Sequence, residues 1–448
     1  MSKVPVLPPS GFRDFLPGEA AGRLALIAAI TRTYMAHGFQ PIGISMLESL
    51  DTLQGKGGGT DNEKLIFKIL KRGEELSRAV DAGKNEFADM GLRFDLTLPL
   101  ARYCARFREQ LPKPFKVFQI GPVWRADRPQ KGRYREFFQC DVDIVGAKEI
   151  GAEVDCINAI YQVFSELKIP GVEIVLNDRR FLTALGEKIG APPTTWSKCL
   201  VILDKLDKIE PSKVREQLHQ ELIAGQVDLA AAEPLLSALF VGDGMIMAAI
   251  DPASHESLGE IQKLLRQTLG AEAKITISPT LIRGQDYYTG TIFELRHEKI
   301  SGSLGGGGRY NRLLEIFGSP DTPAFGGSIG FERLDLLLQE MGKTETNAAA
   351  PQVFFPLFDA SLRGPVLEIA GELRKHGVRA DVFPDAAKLK NQFKYADDRK
   401  IPFVASLGAD EWQKKEIKLK DMNARTEKII SLDPLENFVK ELLDLCKK

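Results

Sequence analysis

The chain has 448 residues, of which 44% are hydrophobic and 27% charged, and its net charge is −1. This balance is typical of a soluble globular protein of two to four domains, so any nucleic-acid contact must be local. Five widely separated cysteines argue against a zinc knuckle or a disulfide scaffold, and the five histidines form no metal-spaced cluster. The first residues lack an apolar signal core, and no apolar run reaches 18 residues. We therefore expect a cytoplasmic protein without a membrane segment or a tightly held metal.

The first predicted elements are a long helix and a short strand. Ala, Leu and Ile recur at helical spacing over 18–37, and Gly38 stands where helices often end. The strand-like segment 39–46 contains Pro41, and proline belongs on an edge strand. We expect this segment at a sheet margin or a subunit interface. Glycines 55–60 lack the order of a phosphate-binding loop and are interpreted as a mobile loop.

A polar strand face is predicted next. Arg93, Asp95 and Thr97 alternate with apolar residues, and Pro99 ends the run before a helix. A carboxylate and a hydroxyl two residues apart on one face can hold an ammonium group. The alternative for such a triplet is an ordinary exposed strand face.

Residues 117–146 carry the strongest local signal. Two apolar runs, 117–124 and 137–145, flank a loop with four arginines and a lysine, which predicts an antiparallel hairpin with a basic tip. Arg125 lies where the first run ends, so it can point into a cleft. Arginines at one end and acids at the other suit a ligand with phosphates and a cationic group. The polar face of the second strand consists of Gln139, Asp141 and Asp143.

Helical periodicity dominates from about 178 to 270, which we interpret as a mostly helical insertion between strand-like pieces at 172–176 and 274–277. Residues 343–350 have the composition of a linker. Strands and helices then alternate over 351–448 and predict a small α/β domain.

Three further stretches have the composition of a ligand site. Segment 281–295 crowds polar residues around Tyr287 and Tyr288; adjacent tyrosines on a strand point to opposite faces, so only one should face a cleft unless the backbone kinks. Glycines 305–308 permit close approach of a ligand, with a flexible turn as the alternative. Arg333 stands near a helix start, which favours phosphate. Arginines, acids and glycines without a nucleophile suit positioning and electrostatic stabilisation of phosphoryl or adenylyl transfer.

Over essentially its whole length the chain resembles the histidyl-tRNA synthetases, which are class II aminoacyl-tRNA synthetases. The arginine–tyrosine stretch and the basic hairpin together are specific, whereas the glycine runs alone are weak. The motifs occur in the order of the family. They are GFRDFLP at 11–17, the hairpin at 117–146, LIRGQDYYTGTIFEL at 281–295, GGGGRY at 305–310 and GGSIGFER at 326–333.

The resemblance implies an α+β fold. An antiparallel catalytic sheet flanked by helices would occupy 1–342, with the helical insertion inside it, and an α/β anticodon-binding domain would occupy 351–448. It implies attachment of L-histidine to tRNA(His) through a histidyl-adenylate, with ATP and Mg²⁺ as a substrate complex. It also implies a homodimer formed partly through the Pro41 region.

The resemblance further implies roles for individual residues around histidine. Asp95 and Thr97 would hold the α-amino group, and Asp143 and Tyr288 would read the imidazole ring. Arg283 would neutralise charge as the acyl oxygen attacks phosphorus. The full set expected to bind histidine is Asp95, Thr97, Arg125, Gln139, Asp143, Arg283, Tyr287 and Tyr288.

For ATP, the resemblance implies that Phe137 stacks on adenine while Arg133 and Arg333 hold the β- and γ-phosphates. Arg125 would join Arg283 as a catalytic residue by bridging the histidine carboxylate and the α-phosphate. Gln130 and Arg135 at the hairpin tip would meet the tRNA acceptor end.

Three alternatives stay open at this point. One is a synthetase-like regulatory subunit that activates ATP phosphoribosyltransferase, and another is a class II synthetase for a different amino acid. The third is a stand-alone tRNA-binding module. The chain departs from the family pattern at Gln285, where an apolar or small residue is usual, and at Ser328, which replaces a glycine of the generic third class II motif.

Overall fold

The computed structural model describes residues 4–54, 61–81, 87–130, 132–206, 209–242, 244–283, 287–319, 322–343 and 350–446. The loop predicted at 55–60, Gln285 and most of the predicted linker lie outside the described residues. The chain divides into two compact units. The first comprises Met1–Asp14 and Leu26–Thr344, and the second comprises Phe15–Ala25 and Glu345–Lys448.

Helices and strands alternate irregularly along the first unit and regularly along the second. The described helices are α1 (Pro17–Ala36), α2 (Leu50–Gln54), α3 (Gly73–Asp81), α4 (Thr97–Arg106), α5 (Gly151–Glu166), α6 (Arg179–Ile189), α7 (Pro193–Leu203), α8 (Pro211–Ala224), α9 (Leu229–Val241), α10 (Met245–Ile250), α11 (Pro252–Leu269), α12 (Phe331–Glu340), α13 (Arg363–Lys375), α14 (Leu389–Asp398), α15 (Ala409–Gln413) and α16 (Leu435–Cys446). The described strands are β1 (Gln40–Pro41), β2 (Leu47–Ser49), β3 (Lys68–Leu70), β4 (Ala88–Leu92), β5 (Phe115–Trp124), β6 (Glu136–Val145), β7 (Glu173–Asp178), β8 (Lys274–Ile277), β9 (Thr291–His297), β10 (Ile300–Arg309), β11 (Ala324–Gly330), β12 (Val353–Phe355), β13 (Ala380–Val382), β14 (Phe403–Ser406), β15 (Glu416–Asp421) and β16 (Thr426–Ser431).

An eight-stranded sheet organises the first unit. Its strand order is β1-β5-β6-β11-β10-β9-β7-β8, antiparallel except where β1 joins β5 and β7 joins β8. Pro41 lies on the two-residue edge strand β1, opposite Phe118. The predicted position of Pro41 at a sheet margin is therefore confirmed. An edge strand tolerates proline because the missing N–H has no neighbouring strand to pair with.

The predicted hairpin is confirmed along its whole length. Strands β5 and β6 pair without a break from Phe115 opposite Val145 to Trp124 opposite Glu136. Apolar residues of β6 pack towards α5, where Ile160 comes close to the bare Gly327 of β11. The period-2 pattern therefore separates a helix-covered face from a polar face.

The strand predicted over Arg93, Asp95 and Thr97 is wrong. Strand β4 ends at Leu92 and α4 begins at Thr97. Asp95 Oδ1 accepts a hydrogen bond from the Leu98 N–H at 3.2 Å, which satisfies a free donor of the first helical turn. Pro99 sits in that turn, where a missing N–H costs nothing, so it starts the helix rather than ending a strand.

Glycines 305–308 form neither a turn nor a loop, because they lie within β10 at the centre of the sheet. Gly307 pairs with Gly327, and a Cβ on Gly307 would lie 2.0 Å from the Gly326 carbonyl oxygen. The strand is bare where its neighbours come closest.

Helices α6 to α11 lie between β7 and the parallel strand β8 in sequence, as the helical periodicity predicts. Asp178 and Asp251 accept hydrogen bonds from the first turns of α6 and α11. In the second unit, the five-stranded sheet has the order β13-β12-β14-β15-β16 around a core that includes Phe355, Leu373 and Phe438. The predicted α/β alternation is present there.

The described residues offer neither a membrane span nor a metal cluster. In the ranges that the structure covers, no helix combines the length and apolar character needed to cross a bilayer. Among the same residues, no group of three or more His, Cys, Asp or Glu side chains is arranged to hold a metal ion.

Candidate active site

A cavity of about 590 Å³ opens on the polar face of the eight-stranded sheet. It gathers residues that are separated by more than two hundred positions in sequence. The residues that we singled out from the sequence and that line it are Asp95, Thr97, Arg125, Gln130, Arg133, Phe137, Gln139, Asp143, Arg283, Tyr287, Tyr288 and Arg333.

Arg135 is not among the lining residues. Its Nε donates to the Asp127 carbonyl at 3.1 Å and its Nη1 to the Ser10 carbonyl at 3.2 Å. The side chain also packs against Gly11, where an added Cβ would come within 2.8 Å of Arg135 Cγ. Arg135 therefore fastens the N-terminal segment to the hairpin, whereas its neighbour Gln130 is exposed at the tip.

The cavity has a floor of glycines. A Cβ on Gly326 would lie 1.8 Å from Asp143 Oδ1, and one on Gly308 would lie 2.7 Å from Tyr288 Cδ1. Real Cβ atoms do not approach other atoms this closely, so the polar side chains lie directly over bare backbone. The sequence predicted close approach of a ligand at Gly308, whereas in the structure the protein's own side chains lie over Gly308 and Gly326.

Three carboxylates share one end of the cavity. Asp95, Asp141 and Asp143 are each 3% exposed. Burial raises the pKa of Asp143 to about 7, although a hydrogen bond from the Tyr310 hydroxyl opposes the rise. Burial and then the charge of Asp143 raise the pKa of Asp141, and burial raises that of Asp95. A cationic ligand group would relieve this repulsion.

Asp141 was predicted only as part of the polar face of the second hairpin strand, and Tyr310 had no predicted role. The alternation of β6 places Asp141 on the polar face, and the register sets it opposite Ser328 of β11. The Ser328 hydroxyl bonds to the Asp141 carboxyl and lowers its pKa. The departure from glycine at position 328 thus supplies a partner for a buried acid.

Unpartnered polar atoms point to the ligand's chemistry. Among the described residues, the cavity holds four buried side-chain atoms that have no hydrogen-bond partner: Asp95 Oδ2, Gln139 Oε1, Asp143 Oδ2 and Arg283 Nε. Buried polar groups normally have hydrogen-bond partners, and a buried group without one costs about 1–3 kcal/mol. Three acceptors and one cationic donor therefore fit a ligand with N–H groups at one end and an anionic group at the other.

Arginines form the opposite end. Arg125 Nε donates to the Phe94 carbonyl at 2.9 Å, and its guanidinium carbon lies 5.0 Å from the Phe137 ring centroid. Arg333 Nη1 donates to the Ser303 carbonyl at 2.6 Å. Burial lowers the pKa of Arg333, and the charges of Arg133 and Arg283 lower it further. Guanidinium groups that repel one another in this way suit a polyanion such as a triphosphate.

Both tyrosines line the cavity, which differs from the expectation for a strand. Strand β9 begins only at Thr291, so the pair precedes the pleat that would separate the two rings. The rings of Tyr287 and Tyr288 meet edge-on with centroids 4.9 Å apart. The Thr289 N–H donates to the Arg309 carbonyl at 2.7 Å and fixes this segment to the end of β10.

An arginine near the N-terminus contacts two residues that line the cavity. The Arg13 guanidinium lies 3.4 Å from the centroid of the Tyr134 ring and forms an ion pair with Glu332. Glu332 Oε1 also accepts a hydrogen bond from the Phe138 N–H at 3.3 Å. The sequence marked the stretch at 11–17 only through its resemblance to a family; an isolated arginine there carries no local signal.

Comparisons with known proteins agree with this geometry. A family model described as histidyl-tRNA synthetase matches residues 11–334, and one described as anticodon binding domain matches residues 353–442. A histidine–tRNA ligase from Azobacteroides pseudotrichonymphae genomovar. CFP2 is 37% identical over 96% of this chain and 97% of its own length. One from Christiangramia forsetii is 37% identical over 96% of this chain and 98% of its own length.

A solved structure gives the same assignment. The crystal structure of histidyl-tRNA synthetase from Nostoc sp. PCC 7120 covers 99% of this chain and 100% of its own, with a TM-score of 0.82 and 26% identity. The expected fold, an antiparallel sheet flanked by helices followed by an α/β anticodon-binding domain, is confirmed. The chain belongs to the histidyl-tRNA synthetase family of class II aminoacyl-tRNA synthetases.

Proposed function

We propose that this protein attaches L-histidine to tRNA(His) in two steps. The histidine carboxylate attacks the α-phosphorus of ATP, a C–O–P linkage forms, and the bond to diphosphate breaks. A ribose hydroxyl of the tRNA then attacks the acyl carbon, loses its proton, and AMP leaves. The supporting observation is a single cavity with unpartnered acceptors at one end and guanidinium groups at the other.

At the acidic end, we assign the α-ammonium group to Asp95, Thr97 and Gln139. The unpartnered oxygens of Asp95 and Gln139 provide acceptors for its N–H groups. Asp143 and Tyr288 would read the imidazole ring, and Tyr287 would close the pocket. An amino acid with an apolar side chain would leave Asp143 unpaired, and unpaired buried polar groups reject analogues by factors on the order of 10⁴.

At the basic end, Arg125 and Arg283 would bridge the histidine carboxylate and the α-phosphate. Arg283 would stabilise the charge that develops there, since its unpartnered Nε already lies in the cavity. Phe137 would stack on adenine, with Arg133 and Arg333 on the outer phosphates. Magnesium would arrive with ATP, held largely by phosphate and water oxygens.

For tRNA, Gln130 at the exposed hairpin tip is the proposed contact to the acceptor end. Arg135 would act there mainly by fixing the tip, because its Nε and Nη1 donate to backbone carbonyls. The anticodon would bind the unit that contains residues 353–442. We place the reaction in the cytoplasm, where the free thiols of all five cysteines suit a reducing compartment.

The test is histidine-dependent exchange of radiolabelled diphosphate into ATP, measured with each amino acid separately, followed by acylation of tRNA(His). We expect exchange with histidine alone. Exchange with another amino acid, or none with histidine, would reject the proposal. A protein that binds histidine but neither exchanges diphosphate nor acylates tRNA would instead be a regulatory relative.

We also propose a homodimer. Strands β2, β4 and β3 form a small sheet on which Leu47 and Met90 share one face and are 41% and 37% exposed. Helix α3, which follows β3 in sequence, has no buried residue, and its Val80 is 57% exposed. Exposed apolar side chains of this kind are typical of a protein interface.

Sedimentation of the double variant Leu47→Glu, Met90→Glu tests the homodimer. We expect a dimer for the unchanged protein and a monomer for the variant, because two buried charges per subunit oppose association. The matched control is Leu389→Glu, at an exposed apolar residue of the second unit, which should stay dimeric. A monomeric unchanged protein would contradict the proposal.

A further inference from the structure

Glu294 stands behind the proposed catalytic arginine without lining the cavity. It lies on β9, opposite Gly306 of β10, and its Oε1 is 3.3 Å from Arg283 Nη1. Its Oε2 accepts a hydrogen bond from Arg296 Nε at 2.9 Å. The carboxylate is 17% exposed and is therefore divided between two guanidinium groups in a partly dry environment.

Gly306 makes this contact possible. A Cβ at that position would lie 2.2 Å from Arg283 Nη1 and 2.9 Å from Arg283 Cζ. The same Nη1 atom that bonds to Glu294 thus lies over the bare backbone of Gly306. Any side chain at position 306 would lift Arg283 away from Glu294.

The positive charges near Arg283 require an opposing negative charge. Arg283 and Arg133 both lower the pKa of Arg333, so each of them repels Arg333, while Glu294 raises that pKa. Without an opposing charge, this repulsion favours rotation of the Arg283 side chain away from Arg333. Glu294 opposes that movement and leaves Arg283 Nε unpartnered in the cavity.

We propose that Glu294 is a positioning residue: together with the empty site at Gly306, it holds Arg283 in the orientation needed at the α-phosphate. The inference rests on the proposed function of this cavity and deepens it. Catalytic groups must be held within a fraction of an ångström, and such holding acts on the transition state more than on substrate binding.

The experiment is a double-mutant cycle between Glu294→Gln and Arg283→Ala. The probe is a non-reactive sulfamoyl analogue of histidyl-adenylate, whose binding is measurable by calorimetry even in inactive variants. The kcat and KM of histidine-dependent exchange are followed in parallel. Glu173→Gln is the matched control, because Glu173 is an acid on the neighbouring strand that bonds to Thr276 rather than to Arg283.

We expect Glu294→Gln to lower kcat by about 10- to 100-fold with KM for histidine changed less than about threefold, and to weaken analogue binding about tenfold. With Arg283→Ala already present, Glu294→Gln should change analogue binding by less than about twofold, because nothing remains to be positioned. Glu173→Gln should leave both quantities unchanged.

Two results would overturn the proposal. One is an undiminished effect of Glu294→Gln in the Arg283→Ala background. The other is restoration of Glu294→Gln activity by raised Mg²⁺, which would make Glu294 a metal ligand. If the unchanged protein shows no histidine-dependent exchange at all, the proposed function fails instead, and that outcome is distinguishable because it precedes any variant.

Discussion

Asp143 is a buried acid with one oxygen bonded within the protein and the other without a partner. Its side chain is 3% exposed, it accepts a hydrogen bond from Tyr310, and its other oxygen has no partner. Burial raises its pKa to about 7. The pKa of this carboxyl group is therefore close to that of the histidine imidazole, which is about 6.5. In the proposed complex, Asp143 and the imidazole of histidine would therefore compete for a proton near neutral pH.

The raised pKa of Asp143 makes stability depend on pH. In the unfolded chain an aspartate loses its proton near pH 4, whereas folded Asp143 keeps its proton until about pH 7. Between these values the unfolded state binds fewer protons at this position, so the contribution of Asp143 to the free energy of unfolding falls as pH rises and levels off above about 7. Asp143→Asn should flatten this decline in urea titrations of the ligand-free protein from about pH 5 to 7.5.

Glu166→Gln provides the control for this titration. Hydrogen bonds from Thr33 and Arg32 lower the pKa of Glu166, so its contribution is lost only as pH falls below the usual range of a glutamate. Its stability curve should run parallel to that of the unchanged protein over the same pH window. If Asp143→Asn also gives a parallel curve, the carboxyl group is ionised in the folded state.

At the scale of single elements, β10 and β11 create the floor on which the site rests. Gly326→Ala would place a Cβ only 1.8 Å from the present position of Asp143 Oδ1, so the carboxyl group would have to move. We expect a loss of histidine affinity of at least tenfold, because Asp143 must leave the imidazole. ATP binding should change by less than about threefold. Calorimetry measures both affinities; the tenfold loss corresponds to about 1.4 kcal/mol, which is in the range for one displaced buried contact.

Gly259→Ala in α11 is the matched control for the same chemical change. An added Cβ there meets nothing within 4 Å, so the substitution should raise stability slightly through helix propensity and leave both ligands unaffected. Equal effects of Gly326→Ala on histidine and ATP would argue that the floor as a whole had shifted.

A buried ion pair joins β10 to α5. Arg309 bonds to both oxygens of Glu153, and Arg309 Nη1 also donates to the Ala147 carbonyl at 3.0 Å. The side chains are only 9% and 2% exposed. Because the Arg309 carbonyl holds the tyrosine segment through Thr289, this joint connects the helix to the cavity wall.

Arg309→Met should lower the free energy of unfolding by about 3–5 kcal/mol, because Glu153 is left as an unpaired buried charge. The double variant Arg309→Met, Glu153→Leu should recover much of that loss. Arg78→Met is the control, since its pair with Glu74 is 74% and 89% exposed and should contribute less than about 1 kcal/mol. Chemical denaturation measures all three; a double variant as unstable as the single one would contradict the argument.

The elements show where sequence reasoning succeeds. The hairpin β5–β6 was predictable because two apolar runs flank a basic tip and polar residues alternate with apolar ones over 139–144 of the second strand. The same rule failed at Asp95 and Thr97, where alternation over five residues mimics a strand that is really a helix start. Short patterns cannot separate these cases, since a helix cap and a strand face use the same residue types.

The site was predictable only in part. Arginines and acids indicate their ligand by charge, so the two ends of the cavity follow from residue types. Neither Glu294 nor Asp141 had an individual predicted role. Their roles depend on which strand lies beside them, and strand order cannot be predicted from local sequence. The glycines were noticed, yet their meaning needed the register that sets Gly326 beside Asp143 and Gly306 beside Glu294.

At the scale of the whole molecule, the chain contains separate hydrophobic cores. One includes Phe164, Leu258 and Leu337, and another includes Val353, Phe355 and Leu442. Each core belongs to one of the two compact units. Units with their own cores commonly unfold as separate cooperative transitions.

We therefore expect two transitions in scanning calorimetry. Histidine at about 100 times its dissociation constant should raise only the transition of the first unit, by about 2.7 kcal/mol in free energy. Leu442→Ala, which removes a buried side chain of α16, should lower only the other transition. A single transition that responds to both changes would show that the units unfold together.

The glycine floor has a consequence for how this site can change over generations. Glycine has no side chain that a mutation could shorten, so every substitution at these positions adds atoms and reduces the volume of the pocket. Each replacement at Gly306, Gly308 or Gly326 brings a Cβ against Arg283, Tyr288 or Asp143, the side chains to which we assign roles in the reaction. A changed substrate preference is therefore easier to reach by substituting the lining side chains, such as Thr97 and Tyr287, than by substituting these glycines. The glycines are the fixed part of the pocket, and the side chains around them are the part that selection can vary.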